Sequence, residues 1–195
     1  MTTAAVILAA GEGSRYSGET HKLLAKVKGK AVVTWSVEHA LAAELDETIV
    51  VTGAVELLDV LPADVTVLHN HQWADGQARS LRCAVAYAEM AGHDALVVGL
   101  GDQPLIPPSA WREVAASEAV IATASFSGER TPPVRLSADV WAALPIDGDE
   151  GARALMRARP DLVVEVECSG RALDVDALSD LQRVQREAAQ WLTVE

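Results

Sequence analysis

The chain has 195 residues, half of them hydrophobic but only 4% aromatic, and a formal net charge of −12. This length supports one domain with a proper core, the acidic balance argues against a nucleic-acid partner, which needs a basic surface, and no apolar run is long enough to span a membrane. The two cysteines, Cys83 and Cys168, lie far apart without a C-x-x-C pair and read as free thiols of a reducing cytosol. No basic stretch followed by a long apolar core opens the chain, so a cytoplasmic location is expected.

Apolar runs rich in β-branched residues alternate with helical periodicity. Residues 4–10 predict a buried strand, and 31–44 a helix with Val33, Val37, Ala40 and Leu41 on one face. A strand at 47–52, a short helix at 55–61 and a strand at 64–69 follow, then the loop HNHQWADGQ and a helix over 79–91. DALVVGL predicts a strand at 94–100; a proline-bearing turn then leads to a helix at 108–117 and a strand at 119–124. Beyond that the order is less regular: a strand PVRL at 133–136, helices at 137–143 and 149–158, a strand at 162–167 and a closing helix at 177–192. The alternation predicts a mostly parallel sheet with helices on both faces. In such sheets ligands bind beyond the carboxyl ends of the strands, where the strand order switches.

The first strand runs into the loop of AAVILAAGEGSRYSGETHKLL (4–24). The dinucleotide pattern G-x-G-x-x-G fits at Gly11 and Gly13 and fails at Tyr16. The P-loop spacing fits at Gly13 and Gly18 and fails at Glu19, whose carboxylate would repel a phosphate. The loop nevertheless has the parts of an anion site: glycines that expose N–H groups, the hydroxyls of Ser14 and Ser17, and the charges of Arg15 and Lys22. All four lysines, at 22, 26, 28 and 30, cluster directly after the glycines. Lys22 is expected to meet the anion; Lys26, Lys28 and Lys30 suit a solvated edge or turn.

The second informative strand end is GLGDQPL, where Asp102 either faces the ligand crevice or caps the proline-bearing turn. In ALDVDAL, Asp174 and Asp176 point the same way if the stretch is extended. Asp176 could instead cap the last helix. Carboxylates meeting from separate segments would suit a hard cation such as Mg²⁺. His69 and His71 read as loop residues, Trp73 as a loop anchor or a ligand contact, Ser80 as a cap or a nucleotide contact, and Asp149 as the N-cap of the helix GARALM.

LAAGEGSR (8–15) with Lys22, WADGQARSL (73–81), GDQPLI (101–106), PPVRL (132–136), GDEGAR (148–153) and LDVD (173–176) together resemble the MobA-like nucleoside-triphosphate transferases, over nearly the whole chain. That group attaches nucleotides to the molybdenum cofactor. The resemblance implies a three-layer α/β/α, Rossmann-like glycosyltransferase-A-type fold: a single domain over 1–195, with a nucleotide-binding N-terminal half and an acceptor-binding C-terminal half. It implies that Leu8, Ala9, Ala10 and Gly11 meet the base and ribose. Gly13, Ser14 and Ser80 would join the nucleotide site, and Arg15 and Lys22 would hold the phosphates. Asp102 would bind Mg²⁺ with Asp174 or Asp176, and Arg15, Lys22 and Asp102 would carry catalysis. Because the cytidylyl branch tends to read LAAG and the guanylyl branch LAGG, Ala10 favours CTP over GTP. The implied acceptor is a phosphorylated small molecule such as molybdopterin, and the implied client a molybdenum hydroxylase. Another phosphorylated acceptor, or a nucleotide-binding accessory protein that transfers nothing, are the alternatives.

Overall fold

The structure, a computed structural model, describes residues 1–191, with side chains through Ala188; Leu192, where the closing helix is expected to end, lies outside the described residues. The first strand, β1 (Thr3–Ala9), is a continuous apolar run because both of its faces are covered. It pairs in parallel with β4 (Glu47–Thr52) on one side and β6 (Ala95–Leu100) on the other. The seven-stranded sheet has the order β5-β4-β1-β6-β8-β7-β9, where β5 is Thr66–His69, β7 is Ile121–Phe126, β8 is Glu129–Ser137 and β9 is Val163–Glu167. Only β8 runs antiparallel to its neighbours, so the sheet is mostly parallel, as expected.

Period-two alternation divides the strands between two cores. Ala5, Ile7, Val50 and Val97 pack under α1 (Val32–Leu41) and α3 (Pro108–Ala115). Ala4, Val6, Leu8 and Ile49 pack under α2 (Gln77–Ala91), together with Trp141 and Leu155 of α4 (Ala152–Ala158). These are the three layers. A third cluster joins α5 (Leu178–Trp191), through Val184 and Ala188, to Val32, Trp35 and the small hairpin β2–β3 (Lys26–Val27, Lys30–Ala31).

Lys26, Lys28 and Lys30 stand on that hairpin, an edge and turn as expected of them; positive φ at Lys28 (49°) and Gly29 (82°) makes the tight two-residue turn such ribbons favour. Several other elements differ from the sequence reading. The short helix expected at 55–61 is a single 3-10 turn, Leu58–Val60. The helix expected at 137–143 is also 3-10, Ala138–Ala143. β8 is longer than PVRL because Ser127 and Gly128, both at positive φ, turn β7 back on it. Pro132 and Pro133, joined by a cis bond, sit in a bulge where the register shifts between Thr123 and Ala124. Among the described residues no helix is long and apolar enough to cross a membrane. Both cysteines are free thiols, Cys168 buried and Cys83 partly so.

The order β4-β1-β6 places the switch at the carboxyl ends of β1 and β6. α1, after β1, covers one face, and α2, before β6, covers the other. The chain therefore diverges above these two strand ends and leaves a crevice there.

Candidate active site

The crevice is a cleft of about 530 Å³. Leu8, Ala9, Ala10 and Gly11 form its floor at the end of β1, and Gly13, Ser14 and Arg15 continue up one wall. Lys22, Ser80, Asp102, Asp174 and Asp176 line it too, so most of the residues singled out from the sequence converge on one place; Ser17 of the glycine loop does not line it.

The glycines divide by role. A Cβ at Gly11 would meet no protein atom within 4 Å, so packing inside the chain does not require glycine there. Gly13 has φ +66°, and a Cβ on it would lie 3.0 Å from His21 Nε2 and 3.2 Å from Lys22 Cγ. Gly18 serves packing instead: its missing side chain makes room for the Tyr16 ring, 2.3 Å from where a Cβ would stand.

His21 closes the loop, which sequence reasoning missed. Its Nδ1 accepts the Leu23 N–H at 3.2 Å, and its Nε2 therefore donates to the Gly11 carbonyl, also at 3.2 Å. That pairing fixes the neutral ring with its proton on Nε2. Burial, outweighing its backbone hydrogen bonds, lowers the His21 pKa below the usual histidine value. Nothing in the glycine pattern signalled this residue; its place immediately before Lys22 was the one available hint.

Charge concentrates at the end of β6. Lys22 Nζ lies 2.5 Å from Asp102 Oδ2 and 2.8 Å from Asp176 Oδ1, and its side chain is only 12% exposed. Burial alone would lower the Lys22 pKa; the charges and hydrogen bonds of Asp102 and Asp176 outweigh it and raise it. Arg15, 78% exposed, reaches Asp176 Oδ2 at 2.9 Å. Burial opposes the charge on Asp176, but Lys22 and Arg15 hold its pKa below the usual value. The capping reading of Asp176 does not hold, because its two carboxylate oxygens go to Lys22 and Arg15; Asp180 accepts the N–H groups of Asp176 and Ala177 at 3.2 and 2.7 Å.

Asp174 is in a different situation. Burial and then the charge of Asp102 raise its pKa, against a 2.6 Å hydrogen bond from Gln103 Nε2. Gln103 also donates to Thr131 Oγ1 at 3.1 Å. Asp102 Oδ1 is buried and makes no hydrogen bond. An unpartnered carboxylate oxygen beside a second acid that resists ionisation is a donor set that fits a hard cation. Among the described residues no group of three or more His, Cys, Asp or Glu is placed to hold a metal ion. Two carboxylates are nevertheless what a magnesium site commonly takes from a protein, phosphate oxygens and water completing it.

The far wall is made by two interlocked loops. Gly76 sits at φ 101°, and a Cβ there would come within 2.5 Å of Gly148 backbone atoms. The Ala78 N–H donates to the Gly148 carbonyl, and the Gly148 N–H to the Asp75 carbonyl. Gly76 occupies the N-cap position of α2, so Ser80 is not a cap; it is buried in the first turn and accepts from Asn70 Nδ2 at 3.0 Å. Asp149 is not a cap either: Gly151 holds the N-cap position of α4, and Asp149 lines the cleft. Trp73 borders the cleft with its Cβ against Gly53, a close approach the sequence reading did not assign. His69 and His71 stack edge to face at the end of β5, 4.6 Å apart.

A second cavity, about 620 Å³, opens beside the cleft and shares Leu8, Gln77, Leu100, Arg153 and Asp174 with it. Its floor is apolar, with Leu81, Val98, Val134 and Met156, and Arg130 and Arg157 stand at its edge.

A switch-point cleft with a glycine loop, a buried lysine and convergent carboxylates on a mostly parallel sheet defines a nucleotidyltransferase-type α/β protein. Residues 5–163 match the MobA-like NTP transferase domain, and the chain belongs to that family. It is 32% identical to the purine catabolism protein PucB of Bacillus subtilis, covering 93% of this chain and 95% of that one. It is 28% identical to nicotine blue oxidoreductase of Paenarthrobacter nicotinovorans, over 92% and 94% of the two chains. Its fold superposes on a nucleotidyl transferase from Methanothermobacter thermautotroptrophicus with a TM-score of 0.82 at 26% identity, covering 97% and 98% of the two chains.

Proposed function

We propose that this nucleotidyltransferase moves CMP from CTP to the phosphate of a molybdopterin-type acceptor, with Mg²⁺ as cofactor and pyrophosphate as the leaving group. The observation that carries the reading is the group of acids at the end of β6. There Lys22 bridges Asp102 and Asp176 inside a cleft bordered by the glycine loop, while Asp102 Oδ1 stays unpartnered. In this reading Asp102 and Asp174 hold the metal, and Asp176 anchors the two cations, Lys22 and Arg15. Bound with the nucleotide, Mg²⁺ would neutralise phosphate charge and polarise the α-phosphate.

The chain's own residues do the rest by positioning. The exposed N–H groups around Gly11 and Gly13 receive the phosphates, and Gly11 leaves room for a ligand to approach the backbone. Lys22 and Arg15 offset the charge that grows on the leaving pyrophosphate. A phosphate monoester is already largely ionised at neutral pH, so the attacking oxygen needs no strong general base. The chemistry then reduces to alignment and neutralisation.

The adjoining cavity supplies the acceptor side. Its apolar floor suits a flat ring system, and Arg153, common to both cavities, stands where an acceptor phosphate would meet the nucleotide. CTP is favoured because Ala10 is one of the residues lining the cleft, where a methyl in place of a glycine hydrogen leaves less room for a purine. A molybdenum hydroxylase that receives the product is the partner this reading implies, in the cytoplasm.

The relative named as an oxidoreductase makes dinucleotide redox chemistry the rival outcome. The loop does not favour it, because G-x-G-x-x-G fails at Tyr16. The test is pyrophosphate release from CTP with Mg²⁺ and molybdopterin, run beside GTP and beside NADH oxidation. Release that needs both CTP and the pterin supports the proposal. Nucleotide binding without release would make the chain an accessory protein.

A further inference from the structure

Three carboxylates and one buried ammonium meet at the end of β6, and their geometry bears on the order in which ligands enter. Lys22 Nζ sits between oxygens of two acids from distant segments, at 2.5 Å from Asp102 and 2.8 Å from Asp176. An ammonium at that spacing stands where the charge of a bound cation would be felt most, directly on the acid the metal needs. Asp102 offers its other oxygen, Oδ1, unpartnered and buried.

We infer that Lys22 is a placeholder cation, excluding a divalent metal from Asp102 until nucleotide phosphates draw its ammonium away. This rests on the reading of Asp102 and Asp174 as the metal pair. A divalent ion arriving alone would meet a buried positive charge held a hydrogen bond away from its first ligand. The ammonium has no reason to leave, since departure would strip Asp102 of its cation partner in a half-buried site. Phosphates on the glycine loop change the balance. The loop ends at Lys22, whose Cγ lies beside Gly13, so a small swing of the side chain carries Nζ from the acids to an anion on that loop. The metal therefore enters with or after the nucleotide, never before it. Arg15 stays on Asp176 Oδ2 and keeps that acid paired when Lys22 departs.

The test is Mn²⁺ binding without any acceptor, read as loss of the free-ion electron paramagnetic resonance signal beyond the loss that the same nucleotide causes without protein. Wild type is expected to bind Mn²⁺ alone weakly and to gain at least tenfold in affinity with a non-hydrolysable CTP analogue. Lys22→Met is expected to bind Mn²⁺ alone at least tenfold more tightly than wild type, and Asp102→Asn in that background to abolish the gain. Lys22→Gln repeats the test should Lys22→Met fold poorly. Lys26→Met removes an exposed charge outside the cleft and is expected to leave Mn²⁺ binding unchanged. If wild type binds Mn²⁺ with the analogue but Lys22→Met and Lys22→Gln bind it alone no better than wild type, the placeholder role is wrong while the metal site stands. If neither wild type with analogue nor the variants bind Mn²⁺, both the placeholder and the metal reading fall.

Discussion

The backbone N–H of Val175 donates to the carbonyl of Asp102 at 2.9 Å. That one bond ties an extended segment from late in the chain to the end of β6. With Val175 fully buried, the acids on either side of it, Asp174 and Asp176, are held toward Asp102. The same environment treats the two acids oppositely: Asp174 is pushed toward its neutral form, Asp176 is held charged. Removing the charge at each should therefore move stability in opposite directions. In metal-free buffer at neutral pH, Asp174→Asn is expected to raise the melting temperature and Asp176→Asn to lower it. Asp174→Asn should also lose transfer. Calorimetry of both variants decides this, and a shift of the same sign for both would contradict the assignment.

Lys22→Ala should keep the fold and lose transfer. Removing one preorganised charge contact at a reacting phosphate typically costs about 2.7–4 kcal/mol of transition-state stabilisation, or roughly 100- to 1000-fold in kcat. Steady-state pyrophosphate release measures it. A variant with near-normal turnover would remove Lys22 from the chemistry.

Gly76→Ala tests whether the interlocked loops shape the cleft. The backbone there lies in a region that is essentially reserved for glycine, and the new methyl would meet Gly148 backbone atoms, which cannot rotate away. The expected destabilisation is about 1–3 kcal/mol, or roughly 2–12 °C for a domain of this size. Gly11→Ala is the contrast. It meets no protein atom, so it should leave the melting temperature nearly unchanged while weakening nucleotide binding.

His21 gives a pH signature. Its folded pKa lies below the usual histidine value of about 6.5, so the folded state prefers the neutral ring. Between the two values the unfolded chain binds more protons, and stability rises with pH. The contribution is complete above the unfolded value and is lost as pH falls through the lowered folded one. Protonating Nδ1 would break the bond from the Leu23 N–H. Melting temperatures from pH 7.5 down to 5 should therefore fall more steeply for wild type than for His21→Gln. Parallel curves would show that the ring does not titrate with the loop.

The strands that build the cleft were legible because a parallel strand covered on both faces is an unbroken apolar run, as in AAVILA and ALVVGL. The short elements were not. Lys26, Lys28 and Lys30 read as a solvated edge or turn, but the strands beside that turn were not legible because two-residue strands have no period to read, and Lys28 and Gly29 form the turn only through positive φ. β8 was shortened to PVRL because the polar residues Glu129–Thr131 and then Pro132 carry no strand period, and only the bulge admits the proline. The acids and cations of the site could be named because charged residues at apolar strand ends stand out. Their partners were harder: Gln103 aims Asp174, His21 closes the loop, and Gly53 admits Trp73, each through a tertiary contact with no sequence period. The supposed caps, Asp149 and Asp176, point into the cleft, and a glycine and Asp180 take their places.

The most direct test of the account is melting of the wild-type chain with CTP, GTP, ATP and UTP, each with and without Mg²⁺. A ligand that binds only the folded state stabilises it by about 2.7 kcal/mol at a hundred times its Kd, roughly 5–10 °C here. The account predicts a rise of that order with CTP and Mg²⁺ together, less with CTP alone and less with GTP and Mg²⁺. A larger rise with GTP would contradict the role given to Ala10, and no rise with CTP and Mg²⁺ would contradict the cytidylyl reading itself.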